Sequence, residues 1–192
     1  MIRTEFFSLP DYDRREILRY MGCRSSNEET DALIDRSISE LDGVFSGRVC
    51  YGEFDVEING DTVDFGFASV SSRALAKNLS GCRKAVVFGA TVGIEIDRKI
   101  AKYGRFNPSV AVCMQAIGAE RIEALCEAFC ATVEGAGTRF SPGYGDLPLD
   151  FQRDIFRVLG CPSRIGLTLI DSMLMSPTKS VTAIVGKREN EV

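Results

Sequence analysis

The stretch RFSPGYGDLP, residues 139–148, puts a permanent cation at the entry of a stiff bend that is poor in side chains. Pro142-Gly143 is a strong turn signal. Gly143 lets another group approach the backbone closely. Arg139 offers a rigid fork of donors matched to a carboxylate, and Tyr144 offers a ring face to a cation or to a flat base. Such a set suits a small zwitterion that carries an aromatic group. The same residues suit a plainer role, in which Arg139 ties the bend to the rest of the protein. The residue types alone leave both open.

Two other stretches hold chemistry-bearing groups. FGATVG, residues 88–93, reads as a strand, a glycine loop and a helix start, an arrangement that can gather backbone N–H groups around an anion. Its spacing is neither GxGxxG nor a P-loop, so the pattern favours tight packing. In the helical region 107–135, Met114, Ile117, Leu125, Phe129 and Thr132 share one face, and Glu120, Glu123, Glu127 and Glu134 fall opposite. That face reads as a solvated acidic stripe, which would supply counter-charge to any cation lying against it. Cys126 and Cys130 stand one turn apart beside the stripe. Two thiols make a poor metal site, and they read as small buried or flanking residues.

The elements that must carry these groups can be read coarsely. Residues 11–22 form a short helix closed by Gly22, and residues 25–43 a second, with Ser26 and Glu29 at capping-box spacing and Gly43 at its end. In EFDVEINGDTVDFGF, residues 53–67, Phe54, Val56 and Ile58 alternate with charge up to an Asn59-Gly60 turn. Val63, Phe65 and Phe67 alternate on the return. One wet and one dry face imply an antiparallel sheet. A helix over 71–81, a buried strand over 84–93 and a helix over 94–104 follow. Pro108 opens the long helix, with a bend expected near Gly118. A helix over 149–160 and strands over 167–175 and 180–186 finish the chain. The mixture, with its antiparallel signature, predicts the α+β class in one domain over residues 1–192.

Composition narrows the function. Among 192 residues, 23 basic and 27 acidic side chains leave a net charge of −4, which argues against a nucleic-acid partner. No apolar run approaches a membrane span, and no basic-then-apolar signal peptide is expected at the start. Seven scattered cysteines without a CxxC pair suggest reduced thiols and a cytoplasmic setting. Histidine is absent, which removes Ser-His-Asp and Cys-His catalysis and any histidine-containing metal site.

With ALCEAF (124–129) before it and LIDSMLMSPTKSVTAIVG (169–186) after it, the RFSPGYGDLP turn resembles the activation domain of cobalamin-dependent methionine synthase. That domain has an arginine, a Pro-Gly-Tyr turn and a later Ser-x-x-Met-x-Pro-x-x-Ser-Val segment. FGATVGIEIDRKI (88–100) and EILRYMGCR (16–24) are similar to small stand-alone versions of it. The resemblance implies an α+β fold with a twisted antiparallel sheet and flanking helices. It implies binding of S-adenosylmethionine and docking over a partner's cobalamin. There an electron from a reduced donor such as flavodoxin, and the methyl group of S-adenosylmethionine, restore methylcobalamin from inactive cob(II)alamin.

Position by position, the resemblance assigns Arg139 as the arginine that meets the ligand and Ser141 as the small residue whose backbone lines the site. Gly143 and Tyr144 become the turn residues, and Glu127 the helix glutamate. The ligand's carboxylate then faces Arg139, and its ammonium and sulfonium face Glu127. The fused form also has an aspartate near its beginning and a tyrosine near its end, neither of which can be placed in this sequence. The expectation is a free-standing reactivation protein for a methionine synthase or related corrinoid methyltransferase, with Lys179-Ser180 a candidate for docking. The alternative is a non-catalytic cap that docks on a cobalamin-binding domain without binding S-adenosylmethionine.

Overall fold

The structure is a computed structural model, and it describes residues 1–188. Along the chain run β1 (Arg3–Phe7), α1 (Arg14–Tyr20), α2 (Glu28–Glu40), β2 (Gly47–Asp55), β3 (Glu57–Asn59), β4 (Thr62–Asp64), β5 (Ser69–Ser71) and α3 (Arg73–Asn78). Then come β6 (Lys84–Thr91), α4 (Glu95–Tyr103), α5 (Pro108–Cys130), a 3-10 turn (Leu149–Phe151), α6 (Gln152–Leu159), α7 (Cys161–Ile165), β7 (Thr168–Leu169), β8 (Met175–Ser176) and β9 (Ser180–Lys187).

The main sheet has the order β1-β2-β6-β9, antiparallel at every pairing. Its strands bury both faces. Val49, Val86, Phe88, Ala90, Ala183 and Val185 point into one core with α1, α2, α4 and α5. Cys50, Ala85, Val87 and Ile184, their neighbours in sequence, point into a second core with α3, α6 and α7. This is the period-2 alternation of a strand with apolar residues at both phases. The expectation of one wet face therefore fails for the main sheet: helices cover both sides.

The predicted hairpin divides. Residues 53–55 finish β2 in the main sheet, and β3 and β4 belong to a small separate sheet, β3-β4-β5. Its turn is Gly60-Asp61 rather than Asn59-Gly60, since Asn59 pairs with Thr62. This register sets Ile58 across from Val63. The expected turn would have set Ile58 against Asp61, and a one-residue slip of that kind exchanges the buried and exposed faces. Phe65 and Phe67 then meet Phe151 of the 3-10 turn, with ring centroids 6.0 and 6.4 Å apart, and Phe54 packs on Phe67 at 4.7 Å. That cluster fixes the start of α6.

Other boundaries differ for local reasons. Asn27, not Ser26, caps α2, accepting from Thr30 N at 2.8 Å and from the Thr30 hydroxyl at 2.8 Å. β1 and the first half of β2 carry no clean alternation and were not expected. The apolar run 167–175 is not one strand: β7 and β8 form a two-residue ladder around a loop that leaves Ile170 and Leu174 exposed.

Helix α5 is continuous from Pro108 to Cys130, with Gly118 inside it. The reason for glycine at 118 is close approach, since a Cβ there would lie 2.9 Å from Lys179 Cε and 3.2 Å from Ile96 Cγ1. Met114, Ile117, Leu125 and Phe129 are buried as the helical spacing requires, while Thr132 lies beyond the helix and is exposed. The acidic stripe is not uniformly solvated: Glu120 is buried, because the segment ahead of α1 folds across that part of α5.

Candidate functional site

After α5 the chain returns beside β9. Phe140 N donates to Ile184 O at 2.9 Å and Ile184 N to Phe140 O at 2.7 Å, which brings the backbone at Arg139–Ser141 alongside the edge of the sheet. The bend follows. Tyr144 N donates to Ser141 O at 3.1 Å, Leu147 N to Tyr144 O at 3.0 Å and Gly143 N to Leu147 O at 2.9 Å. Gly143 (φ +88°) and Gly145 (φ +56°) both sit in the left-handed region, which is what the bend asks of its glycines. Asp146 anchors the bend to α3. Its carboxylate accepts from the Ser72 hydroxyl at 2.5 Å and from Arg73 N and Ala74 N at 2.9 and 3.1 Å. These bonds, the Ser72 hydroxyl foremost, hold the Asp146 carboxyl below its usual range.

One wall of the bend opens on a hollow of about 150 Å³. Arg139, Ser141, Pro142 and Tyr144 of the bend line it, together with Glu123 of α5, Gln152 of α6, Met175 of β8 and Ser180–Thr182 of β9. Arg139 donates through Nη2 to Glu123 Oε2. Its Nη1 is buried and has no hydrogen-bond partner among the described residues. The same holds for Oε1 of Gln152, a side chain that is 4% exposed. Five buried side-chain polar atoms of the described residues lack partners, and two of them, one donor and one acceptor, are on residues that line this hollow. A native structure keeps few such atoms, and here two of them fall on residues of one hollow.

The charge balance of the hollow is simple. Arg139 also lies beside the Cys126 thiol, but burial pushes that thiol up to about 12, so it is neutral at physiological pH. Glu123 is then the counter-charge to the guanidinium, and the pair is neutral as a unit.

Glu127 is elsewhere. It lies one helical turn along α5 and is exposed, on a neighbouring acidic groove of about 540 Å³ shared with Asp11, Asp13, Glu16, Tyr20, Glu120, Ala124 and Ala128. Glu123 lines both hollows and is the link between them. The groove wall formed by residues 10–13 is fixed from below by Arg121, which is buried. Arg121 Nη1 donates to Pro10 O at 2.5 Å and Nη2 to Asp11 O at 2.9 Å, and its guanidinium sits 4.0 Å from the Tyr12 ring. Glu120 Oε2 accepts from Arg121 Nε at 2.5 Å, and Glu120 Oε1 accepts from Asp13 N at 3.2 Å.

The structure thus brings Arg139, Ser141 and Tyr144 together on one hollow and places Glu127 on the adjoining groove. Gly143 is outside the lining and serves the bend. Glu123, Gln152, Met175 and Thr182 line the hollow without having been selected from the sequence. A single glutamine at a helix start carries no pattern, and Glu123 was indistinguishable from the other members of its stripe. Lys179-Ser180 is not an open docking surface: Lys179 lies across Gly118, and Ser180 is buried with its hydroxyl donating to Pro177 O at 2.8 Å. The FGATVG loop packs tightly, with Gly89 set against the thiols of Cys161 and Cys50, whose sulfurs are 3.6 Å apart. Among the described residues, no group of three or more Cys, Asp or Glu side chains is placed to hold a metal ion, and no helix is long and apolar enough to cross a membrane.

No protein-family model and no curated protein matches the sequence. Among solved structures, "Crystal Structure of the MetH Reactivation Domain bound to AdoHcy" matches with a TM-score of 0.80 at 14% identity, over 100% of this chain and 80% of that one. At that identity the likeness concerns the backbone, and it establishes the fold: the chain is an α+β protein with the architecture of a methionine synthase reactivation domain.

Proposed function

We propose that the protein binds S-adenosylmethionine at the Arg139 hollow and presents its methyl group to a cobalamin carried by a partner, reactivating a methionine synthase or a related corrinoid methyltransferase. The observation that carries this reading is the pair of buried, unpartnered atoms in one hollow, Arg139 Nη1 and Gln152 Oε1. The likeness to a reactivation domain bound to S-adenosylhomocysteine, the demethylated form of the same molecule, supports it.

Arg139 Nη1 holds the ligand's carboxylate in a charge-assisted hydrogen bond. Ser141 supplies backbone at the wall, and Tyr144, 62% exposed, supplies a ring at the rim. A volume of about 150 Å³ is well below the roughly 300–1,000 Å³ typical of a pocket that encloses a drug-sized ligand. The hollow therefore takes the amino-acid end. The sulfonium and nucleoside lie toward the acidic groove, where Glu127 and Asp11 provide counter-charge. When bound, S-adenosylmethionine supplies a methyl group on a cationic sulfur, which a reduced corrinoid can accept. This chain contributes position and electrostatics.

The second reading, a cap that binds no S-adenosylmethionine, is favoured by the Arg139–Glu123 ion pair, which already satisfies one edge of the guanidinium. A methyl-transfer assay separates the two. A cobalamin-loaded corrinoid methyltransferase, a reduced flavodoxin and methyl-labelled S-adenosylmethionine are incubated anaerobically with and without the protein. The proposal requires label on the corrinoid only when the protein is present. Docking without transfer of label selects the cap.

A further inference from the structure

We infer that Gln152 is a specificity-determining residue of the hollow, and that its amide oxygen receives the α-ammonium of the ligand. The inference rests on the proposed function and adds a recognition group to it.

Three observations lead there. First, Gln152 is more than nine-tenths buried, lines the hollow, and keeps Oε1 without a partner among the described residues. An amide oxygen left in that state costs on the order of 1–3 kcal/mol, so a ligand that supplies a donor recovers it. The terminal torsion of a glutamine is soft, and the amide can turn its oxygen onto such a donor. Second, two other oxygen-bearing side chains of the hollow are already engaged. Glu123 is held by Arg139, and the Ser180 hydroxyl donates to Pro177 O. Third, the hollow is neutral, with one guanidinium and one carboxylate. A neutral acceptor for the ammonium keeps it neutral around a zwitterionic head group, whereas a second carboxylate would leave an unbalanced charge.

The position of Gln152 is well determined. Phe151, the residue before it, stacks on the Phe65–Phe67 cluster of the small sheet. Ile155 and Phe156, the next turn of α6, are buried in the core beneath. The segment between β4 and β5, which contributes no residue to the hollow's lining, thereby helps to set where the amide stands.

The test uses calorimetry on the full chain with S-adenosylhomocysteine and with its analogue carrying hydrogen in place of the α-amino group. The wild type is expected to prefer the amino ligand by about 10- to 150-fold, the range for a hydrogen bond to a charged group. In Gln152→Leu, of similar volume, that preference collapses toward unity, while the deaminated analogue binds about as before. In Gln152→Glu the amino ligand keeps its advantage. Equal affinity of the wild type for both ligands, or an unchanged preference in Gln152→Leu, overturns the assignment of Gln152. If both ligands still bind in those cases, and Arg139→Ala weakens them, the proposed function stands. If neither ligand binds the wild type, both fall. The analogue comparison needs no substitution, so a variant that misfolds does not spare the inference.

Discussion

Two glutamates one helical turn apart, Glu123 and Glu127, divide the electrostatics of the site. Glu123 neutralises Arg139 and lines both the small hollow and the acidic groove, while Glu127 lines only the groove. Their substitutions should differ in kind. Glu123→Gln leaves a half-buried guanidinium without its carboxylate and is expected to lower stability by about 1 kcal/mol, the partial exposure of both side chains screening the rest. Glu127→Gln is exposed and should stay within about 0.5 kcal/mol of the wild type. It should weaken cationic S-adenosylmethionine about 2- to 5-fold and leave neutral S-adenosylhomocysteine nearly unchanged. Denaturant melts and calorimetry with both ligands check this, and an equal loss for the two ligands would contradict it. That Arg139, Ser141 and Tyr144 stand together on one hollow was legible in the sequence, because they lie within or just ahead of one tight bend. Which rung of α5 faces that bend was not, since a helical wheel ranks Glu123 and Glu127 alike and only the path of residues 131–138 decides between them.

At the scale of elements, the main sheet is fastened along one end by Glu53. Its carboxylate accepts from Lys187 Nζ at 2.6 Å and Lys84 Nζ at 2.9 Å, linking β2, β6 and β9. The two lysines, Lys187 foremost, hold the Glu53 pKa down to about 2 from an ordinary 4.5. A carboxyl with a depressed pKa in the folded state stabilises fully above its unfolded value, and that contribution drains away as the pH falls to the folded one. Stability should therefore decline between about pH 4.5 and pH 2 by an amount that solvent screening limits to about 1 kcal/mol. Glu53→Gln should remove that part of the pH dependence while leaving the remainder. A slope unchanged between the two proteins in urea melts over that range would show the clasp to be inert. The sequence disclosed β6, β9 and the helices other than α7, whose apolar residues recur at clean periods. It hid β1 and most of β2, where Glu5, Arg48 and two glycines interrupt the alternation. The register of the small hairpin followed the pairing of Ile58 with Val63 rather than the strongest turn dipeptide.

Across the whole molecule, the α+β class and the antiparallel sheet were legible, and the covering of both sheet faces was not, because a local hairpin says nothing about what lies on a sheet's far side. The mouth of the hollow carries a further feature of this scale. Tyr144 is exposed there, Leu149 is exposed beside Gly143 of the bend, and the loop that leads into Met175 exposes Ile170 and Leu174. Ile170 N donates to Leu174 O at 3.0 Å, so the loop is folded on itself. In the proposed function this apolar rim faces the corrinoid partner, and the acidic groove beside it attracts the cationic ligand. The account depends above all on Arg139 as the anchor of that ligand. The most direct measurement is the affinity for S-adenosylmethionine, by titration calorimetry, of the wild type and of Arg139→Ala. Loss of one charge-assisted pair, about 1.5–3 kcal/mol, predicts binding weakened about 10- to 150-fold. Equal affinities, or no binding by the wild type, would contradict it.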